Sequence, residues 1–308
     1  MSKYLVAGIL ERETIVNVEN IPIDYRPVTT ALRSIHTGVG GDSYNEAIAL
    51  KWLGDYVDFF SVIGSDEDPS IINRNGNDIT LNTEYIMPIL EGTPANVIFY
   101  DKKRNQQRFE DVRNIRDIEY DIELFKRSLP TADTVVLANA NFCRPLLAAS
   151  KLAGKKIAVN IRRFSYEKEQ YNECFLRDAD ILYLSDDGLD HDPYDFVKYI
   201  VEKYQPEIVI LGQGKNGVLL YNSADNTYTH HASVKTNEIV NTVGAGNALF
   251  SCFLHYYNNT KDPFFSIRNA ILFASYKIGF TGSSNGFMTE KQIEDWRGLI
   301  FRENKVLG

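Results

Sequence analysis

Residues 241–247 read Asn-Thr-Val-Gly-Ala-Gly-Asn, and an apolar run, Ala-Leu-Phe-Ser-Cys-Phe-Leu, follows at once. This is the shape of a glycine-rich loop that feeds a helix N-terminus. Gly244 and Gly246 let the backbone turn tightly, so that successive N–H groups and the positive end of the helix dipole point at one anion. Phosphate suits such a loop. A phosphoryl-transfer site built there wants a carboxylate at its end to take a proton from the attacking hydroxyl. That place holds Asn247, an amide that takes no proton at neutral pH. A second glycine pair, Gly40-Gly41, precedes Asp42-Ser43-Tyr44-Asn45 and a stretch with Ala47, Ala49, Leu50, Leu53 and Gly54. Each motif also has a plain reading: Gly-Gly before a helix as a turn, Gly-x-Gly as tight packing, Asn45 as a local hydrogen-bonding residue.

The elements that must position these residues alternate along the chain. Tyr4–Ile9, Val57–Ile63, Thr134–Ala138, Ile157–Asn160, Ile181–Leu184 and Ile208–Leu211 are short apolar runs of strand character. Tyr44–Leu53, Ile122–Ser128, Pro145–Ala153 and Pro193–Tyr204 read as helices between them. Continuously apolar strands separated by helices predict a mainly parallel sheet covered on both faces. Beyond Leu211 the order changes to a hairpin, Val218–Tyr221 with Tyr228–Ala232, and then to two helical segments, Ala248–Tyr257 and Phe264–Ile278. Two stretches stand outside the alternation. Thr14–Val18 with Ala31–Thr37, and Asn96–Asp101 with Gln107–Glu110 around a turn at 102–105, predict a small second sheet. Assembled from segments at about 11–37 and 93–112, it would serve as a lid over a pocket in one domain spanning 1–308, or else remain a pair of surface hairpins.

At 308 residues, with 44% hydrophobic and 24% charged, the chain is long enough to bury a substantial core. A net charge of -8 and a pI near 5.3 argue against a general nucleic-acid or anionic-membrane partner. Basic clusters at Lys102-Lys103-Arg104 and Arg162-Arg163 remain candidates for a small phosphorylated ligand or for plain solvated surface. Cys143, Cys174 and Cys252 lack metal-type spacing, and Cys252 reads as a core residue. No apolar stretch is long enough for a membrane span or a signal peptide, which predicts a soluble, cytoplasmic protein.

The two glycine motifs together, in this order, resemble the signatures of the ribokinase (PfkB) carbohydrate-kinase family. There the first is two glycines, three residues, an Asn and an Ala-rich helix closing on Leu-Gly. The second is Asp-Thr-x-Gly-Ala-Gly-Asp, matched here except that both Asp are Asn. Ile63-Gly64 with Asp66, Thr93, and the Gly214–Gly217 turn also fit, so the resemblance covers nearly the whole chain. It implies a three-layer α/β sandwich with a mainly parallel central sheet and a small β lid. It implies ATP and Mg2+, a sugar or nucleoside as partner, and a homodimer through the lid. It assigns Gly40, Gly41 and Asn45 to substrate, and Gly244, Ala245 and Gly246 to an anion hole. Asn247 falls at the position of the base. Asp42 stands near the substrate as a ligand or solvent contact, while Lys215 and Gly217 face the nucleotide or form a solvated turn.

The departures from that pattern cluster. Asn241 and Asn247 replace carboxylates. Ser185-Asp186-Asp187-Gly188 stands where the family has Asn-Glu-x-Glu, with Asp186 or Asp187 as a partial substitute. Asn160-Ile161-Arg162-Arg163 stands near an Asp-x-Asn-x-Arg. No metal ligand is assigned. Two functions follow as expectations. One is an ATP-dependent kinase of a sugar or nucleoside hydroxyl, impaired by Asn247. The other is a non-catalytic protein that binds a sugar, nucleoside or nucleotide for regulation.

Overall fold

The computed structural model describes residues 1–74, 79–103 and 105–303. The first half of the chain runs β1 (Lys3–Ala7), β2 (Glu11–Asn17), β3 (Ile35–Gly40), α1 (Asp42–Trp52), β4 (Tyr56–Gly64), β5 (Ile86–Leu90), β6 (Ala95–Tyr100) and β7 (Gln106–Asp111). It continues with α2 (Ile122–Ser128), β8 (Thr134–Ala138), α3 (Cys143–Leu152), β9 (Lys156–Arg163), α4 (Glu169–Asp178) and β10 (Ile181–Ser185). Then come α5 (Pro193–Tyr204), β11 (Ile208–Gly212), β12 (Val218–Asn222), β13 (Thr227–His231), α6 (Ala245–Thr260), α7 (Pro263–Lys277) and α8 (Glu290–Glu303).

The large sheet has the order β13-β12-β11-β10-β9-β8-β1-β4-β5. It is parallel from β11 to β5, and the β11–β12 and β12–β13 pairs are antiparallel. Side chains alternate between its faces, as a strand's period of two requires. Tyr4 and Val6 enter one apolar layer with α1, α6 and α7, while Leu5 and Ala7 enter the other with α2–α5. The result is three layers. The small sheet, β3-β2-β6-β7, has a miniature core of its own: Ile15, Ile98 and Tyr100 close on Val243 of the glycine loop.

Most elements fall where the apolar pattern put them. Three do not announce themselves. β5 carries Pro88 and sits at the sheet edge, where a missing N–H costs no ladder bond. α4 begins Glu-Gln-Tyr-Asn-Glu and buries only Asn172, Phe175 and Leu176. α8 follows a loop without a strong apolar run. The strand expected at Ala31–Thr37 begins only at Ile35, because Arg33 turns the chain with a φ of 55°. Among the described residues no helix is long and apolar enough to cross a membrane.

Candidate active site

Both glycine motifs become helix N-termini held against other backbone. Gly41, at φ 107°, precedes α1, and a Cβ there would run into the Ile9 carbonyl. Gly244, at φ 77°, precedes α6, and a Cβ there would strike the Ser283 carbonyl. Gly40 packs on Glu13, and Gly246 lies under the Tyr183 hydroxyl. The loop before α6 shapes itself: Asn241 Oδ1 accepts the Val243 N–H at 3.1 Å, and Asn241 Nδ2 donates to the Phe280 carbonyl at 3.4 Å. Ala245 closes a turn by donating its N–H to the Thr242 carbonyl at 3.2 Å. In this structure that N–H is engaged within the turn. The amides of Gly246 and Asn247, which have no acceptor one turn back, remain to face an anion.

The substrate-side residues join the same group. Asn45 is buried, with Oδ1 accepting from Ser283 Oγ at 3.0 Å. The Ser283 N–H donates to Glu13 Oε1 at 3.2 Å. Burial raises the Glu13 carboxyl pKa against those hydrogen bonds. Lys277 is wholly buried beside it and donates to the Gly282 carbonyl at 2.6 Å; burial pulls the amine down to about 8, with the Glu13 charge opposing.

Asp42 and Glu46 lie one turn apart on α1 and so share a face. That face meets a bulge in β9. Asn160 pairs with Tyr183 and Arg162 with Leu184, so Ile161 is an extra residue, and Arg162 sits at φ 59°. The bulge aims Arg162 at Asp42 of α1 (3.3 Å) and at Glu110 of β7 (3.5 Å). Asp42 is therefore ion-paired, where the sequence suggested a ligand or solvent contact. Beneath it, Glu46 Oε1 accepts from Asn160 Nδ2 at 2.6 Å and from Asn247 Nδ2 at 3.3 Å. Glu46 Oε2 and Asn160 Oδ1 are buried and have no partner. Burial pushes the Glu46 carboxyl up to about 8, opposed by the Asn160 amide, reinforced by the Asp42 charge and opposed again by the Asn247 amide.

The small sheet supplies the opposite wall. Burial raises Glu11 to about 7; the Asn96 hydrogen bond at 2.9 Å opposes this, and the charges of Asp42, Glu13 and Glu110 add to it. Asn96 Oδ1 is another buried acceptor without a partner. Arg108 is pulled down by burial and by Arg162. Gln106 Nε2 donates to Thr242 Oγ1 at 2.6 Å, which ties β7 to the glycine loop. At the root of the small sheet Asp66 Oδ1 accepts from both the N–H and hydroxyl of Thr93, at 2.8 and 2.9 Å.

Other expected positions stand apart. Lys215 is exposed on the turn between β11 and β12, and Gly217 takes a φ of 98° there. Hydrogen bonds of that turn run to Ser233 and His230 rather than to the Glu46 group. Arg163 donates to the Asp187 carbonyl at 3.0 Å, and Arg104 lies outside the described residues. Burial and Asp187 raise the Asp186 carboxyl. Among the described residues no three His, Cys, Asp or Glu side chains gather as a metal centre. Sequence reasoning missed Glu46, Glu13 as a hydrogen-bonded site member, and Lys277. For Glu46 the sequence holds one partial signal, a carboxylate one turn after Asp42 on the same helix, but nothing local that says what it meets.

Comparison with known proteins agrees with the fold. The curated deoxyribokinase of Salmonella typhi is 22% identical over 275 residues, covering 85% of this chain and 88% of the relative. Among solved structures, a microbiome-derived acarbose kinase, Mak1, superposes with a TM-score of 0.81 at 20% identity, over 96% of this chain and 98% of that one. Ribokinase from Arabidopsis thaliana, complexed with ribose and ATP, gives a TM-score of 0.74 at 17% identity, over 96% and 98%. The fold is therefore ribokinase-like. The family model described as pfkB family carbohydrate kinase matches residues 1–290, and the chain belongs to that family.

Proposed function

We propose that this protein transfers the terminal phosphoryl group of ATP to a hydroxyl of a sugar or nucleoside held between the small sheet and the N-terminus of α1. The observation that carries the reading is one continuous arrangement. The first-turn amides of α6, the Asn247 side chain and the Asn45–Ser283–Glu13 chain of hydrogen bonds all meet around Gly244. Amides at a helix N-terminus stabilise charge on a transferring phosphoryl group, and the polar side chains select hydroxyls. The small sheet acts as the lid, and its link to Thr242 couples the two ends. The sugars in the neighbours' names support a polyol acceptor. Exposed Ile35 and Phe109 on the outer strands of the lid support pairing of two copies there.

Magnesium fits as an ion carried chiefly by the phosphates, a mode that asks for only one or two protein carboxylates. Asp186 and Asp187 are the side chains on offer, and the ion would neutralise phosphate charge. Asn247 cannot accept a proton, and loss of a positioned base costs about 10²–10⁴-fold in rate. Without another base, turnover would be slow by that factor. ADP release measured with ATP, magnesium and a panel of pentoses, hexoses and nucleosides tests this. The expected result is saturable turnover with at least one acceptor. Binding by calorimetry without any turnover would instead support the second reading, a non-catalytic sensor, which Asn247 alone favours.

A further inference from the structure

Beneath Asn247 sits a carboxyl that the transfer chemistry above leaves idle. A buried Glu kept only for packing would have its lone pairs matched, since an unpaired buried acceptor costs free energy. Glu46 has one oxygen held by two amides and the other, Oε2, held by nothing, next to a second unmatched acceptor on Asn160. One of those amides belongs to the residue at the end of the phosphate loop. Because Asn247 Nδ2 gives one N–H to Glu46, its second N–H is left to donate to the oxygen of the acceptor hydroxyl, which keeps that hydroxyl's own proton free for a base. A hydroxyl held by that amide shares it with Glu46.

Resting on the kinase reading, we propose that Glu46 takes the proton of the acceptor hydroxyl, doing from α1 what a carboxylate at 247 would do from α6. The proton passes from the hydroxyl, directly or across one water, to Glu46 Oε2. The hydroxyl oxygen forms the new bond to the γ-phosphorus. The bond from that phosphorus to the β,γ-bridging oxygen breaks, and ADP leaves with the electron pair. Asn247 orients the hydroxyl, and Asn160 fixes the carboxyl. A base is most effective with a pKa near the working pH, and burial has already brought Glu46 to about 8.

The charged and titratable groups facing Glu46 are Asp42 from its own helix, Arg162 from β9 through Asp42, and Tyr183 from β10. α6 brings only the uncharged Asn247 and Ser251. kcat/KM should therefore rise with pH and level off above about 8. Glu46→Gln keeps the shape and the acceptor Oε1, so it should fold and bind nucleotide normally. We expect it to lose about 100-fold or more in kcat, change KM little, and lose the alkaline rise. The decisive variant exchanges the two groups. Glu46→Gln combined with Asn247→Asp returns a carboxyl to 247 and should recover at least about tenfold of the loss. Full turnover in Glu46→Gln overturns the proposal, as does a loss that the exchange leaves unrepaired. A wild-type protein without turnover on any acceptor overturns the kinase reading itself, and the proposal with it.

Discussion

Two buried carboxylates pack against α6, Glu46 near its start and Asp55 farther along, and their surroundings differ. Asp55 Oδ1 accepts the Ser2 N–H at 2.9 Å and Oδ2 meets His255 Nδ1 at 2.7 Å; His255 Nε2 reaches Glu290 Oε1 at 2.8 Å. Both carboxylate oxygens and both ring nitrogens of that pair are used, and the set pins the N-terminus and α8 to the helix. Glu46 leaves an oxygen empty. The first group spends its polarity on holding the fold together. The second keeps part of its polarity unmatched, which costs stability and leaves an oxygen for a ligand to complete.

The largest expected effect is on the satisfied group. His255→Ala strips a partner from a buried carboxylate and should cost about 3–5 kcal/mol in denaturant unfolding, with little change in turnover per folded molecule. A loss under about 1 kcal/mol would erase the contrast. Glu46→Gln should do the reverse. An acid raised in the fold from the ordinary carboxyl value of 4.5 to about 8 contributes stability below the lower value and loses it as pH rises through the higher. Removing the ionisable group should thus stabilise the protein by on the order of 3 kcal/mol at pH 7, shrinking to nothing below about pH 4.

A third test is the pH dependence of the Asp55–His255 pair. Burial lowers the His255 pKa, but hydrogen bonds and charges from Asp55 and Glu290 outweigh it and the net shift is upward. Its stabilisation is present below the ordinary His value of about 6.5 and is lost as pH rises through the folded value. The gap in thermal midpoint between the parent and His255→Gln should therefore narrow toward alkaline pH. The smallest effect belongs to the link between lid and loop. Gln106→Ala removes one hydrogen bond to Thr242, about 1 kcal/mol, and should raise KM for the acceptor more than it lowers stability.

The same contrast explains what could be read from the chain. Continuous apolar strands such as Ile208–Gly212 and alternating helices carry their own period, so the layers were visible. Gly41 and Gly244 were visible because positions squeezed against another backbone admit no side chain. Glu46 was not, since its meaning comes from Asn160 and Asn247, which lie 114 and 201 residues away in the chain. Arg162 read as a contact for a phosphorylated ligand or as solvated surface, because nothing local reveals a bulge. Only tertiary pairing shows that the Asn160-Arg162 segment faces α1.

That segment and α1 face each other across the crevice. Asn160 meets Glu46, and two residues on Arg162 meets Asp42, one helical turn back. The bulge at Ile161 turns Asn160 and Arg162 toward the same helix, so both rungs form at once. Side chains on this ladder can be exchanged singly. Spacing cannot. One residue inserted or deleted between the rungs of either rail would break their common register, so the ladder tolerates substitution but not changes in length.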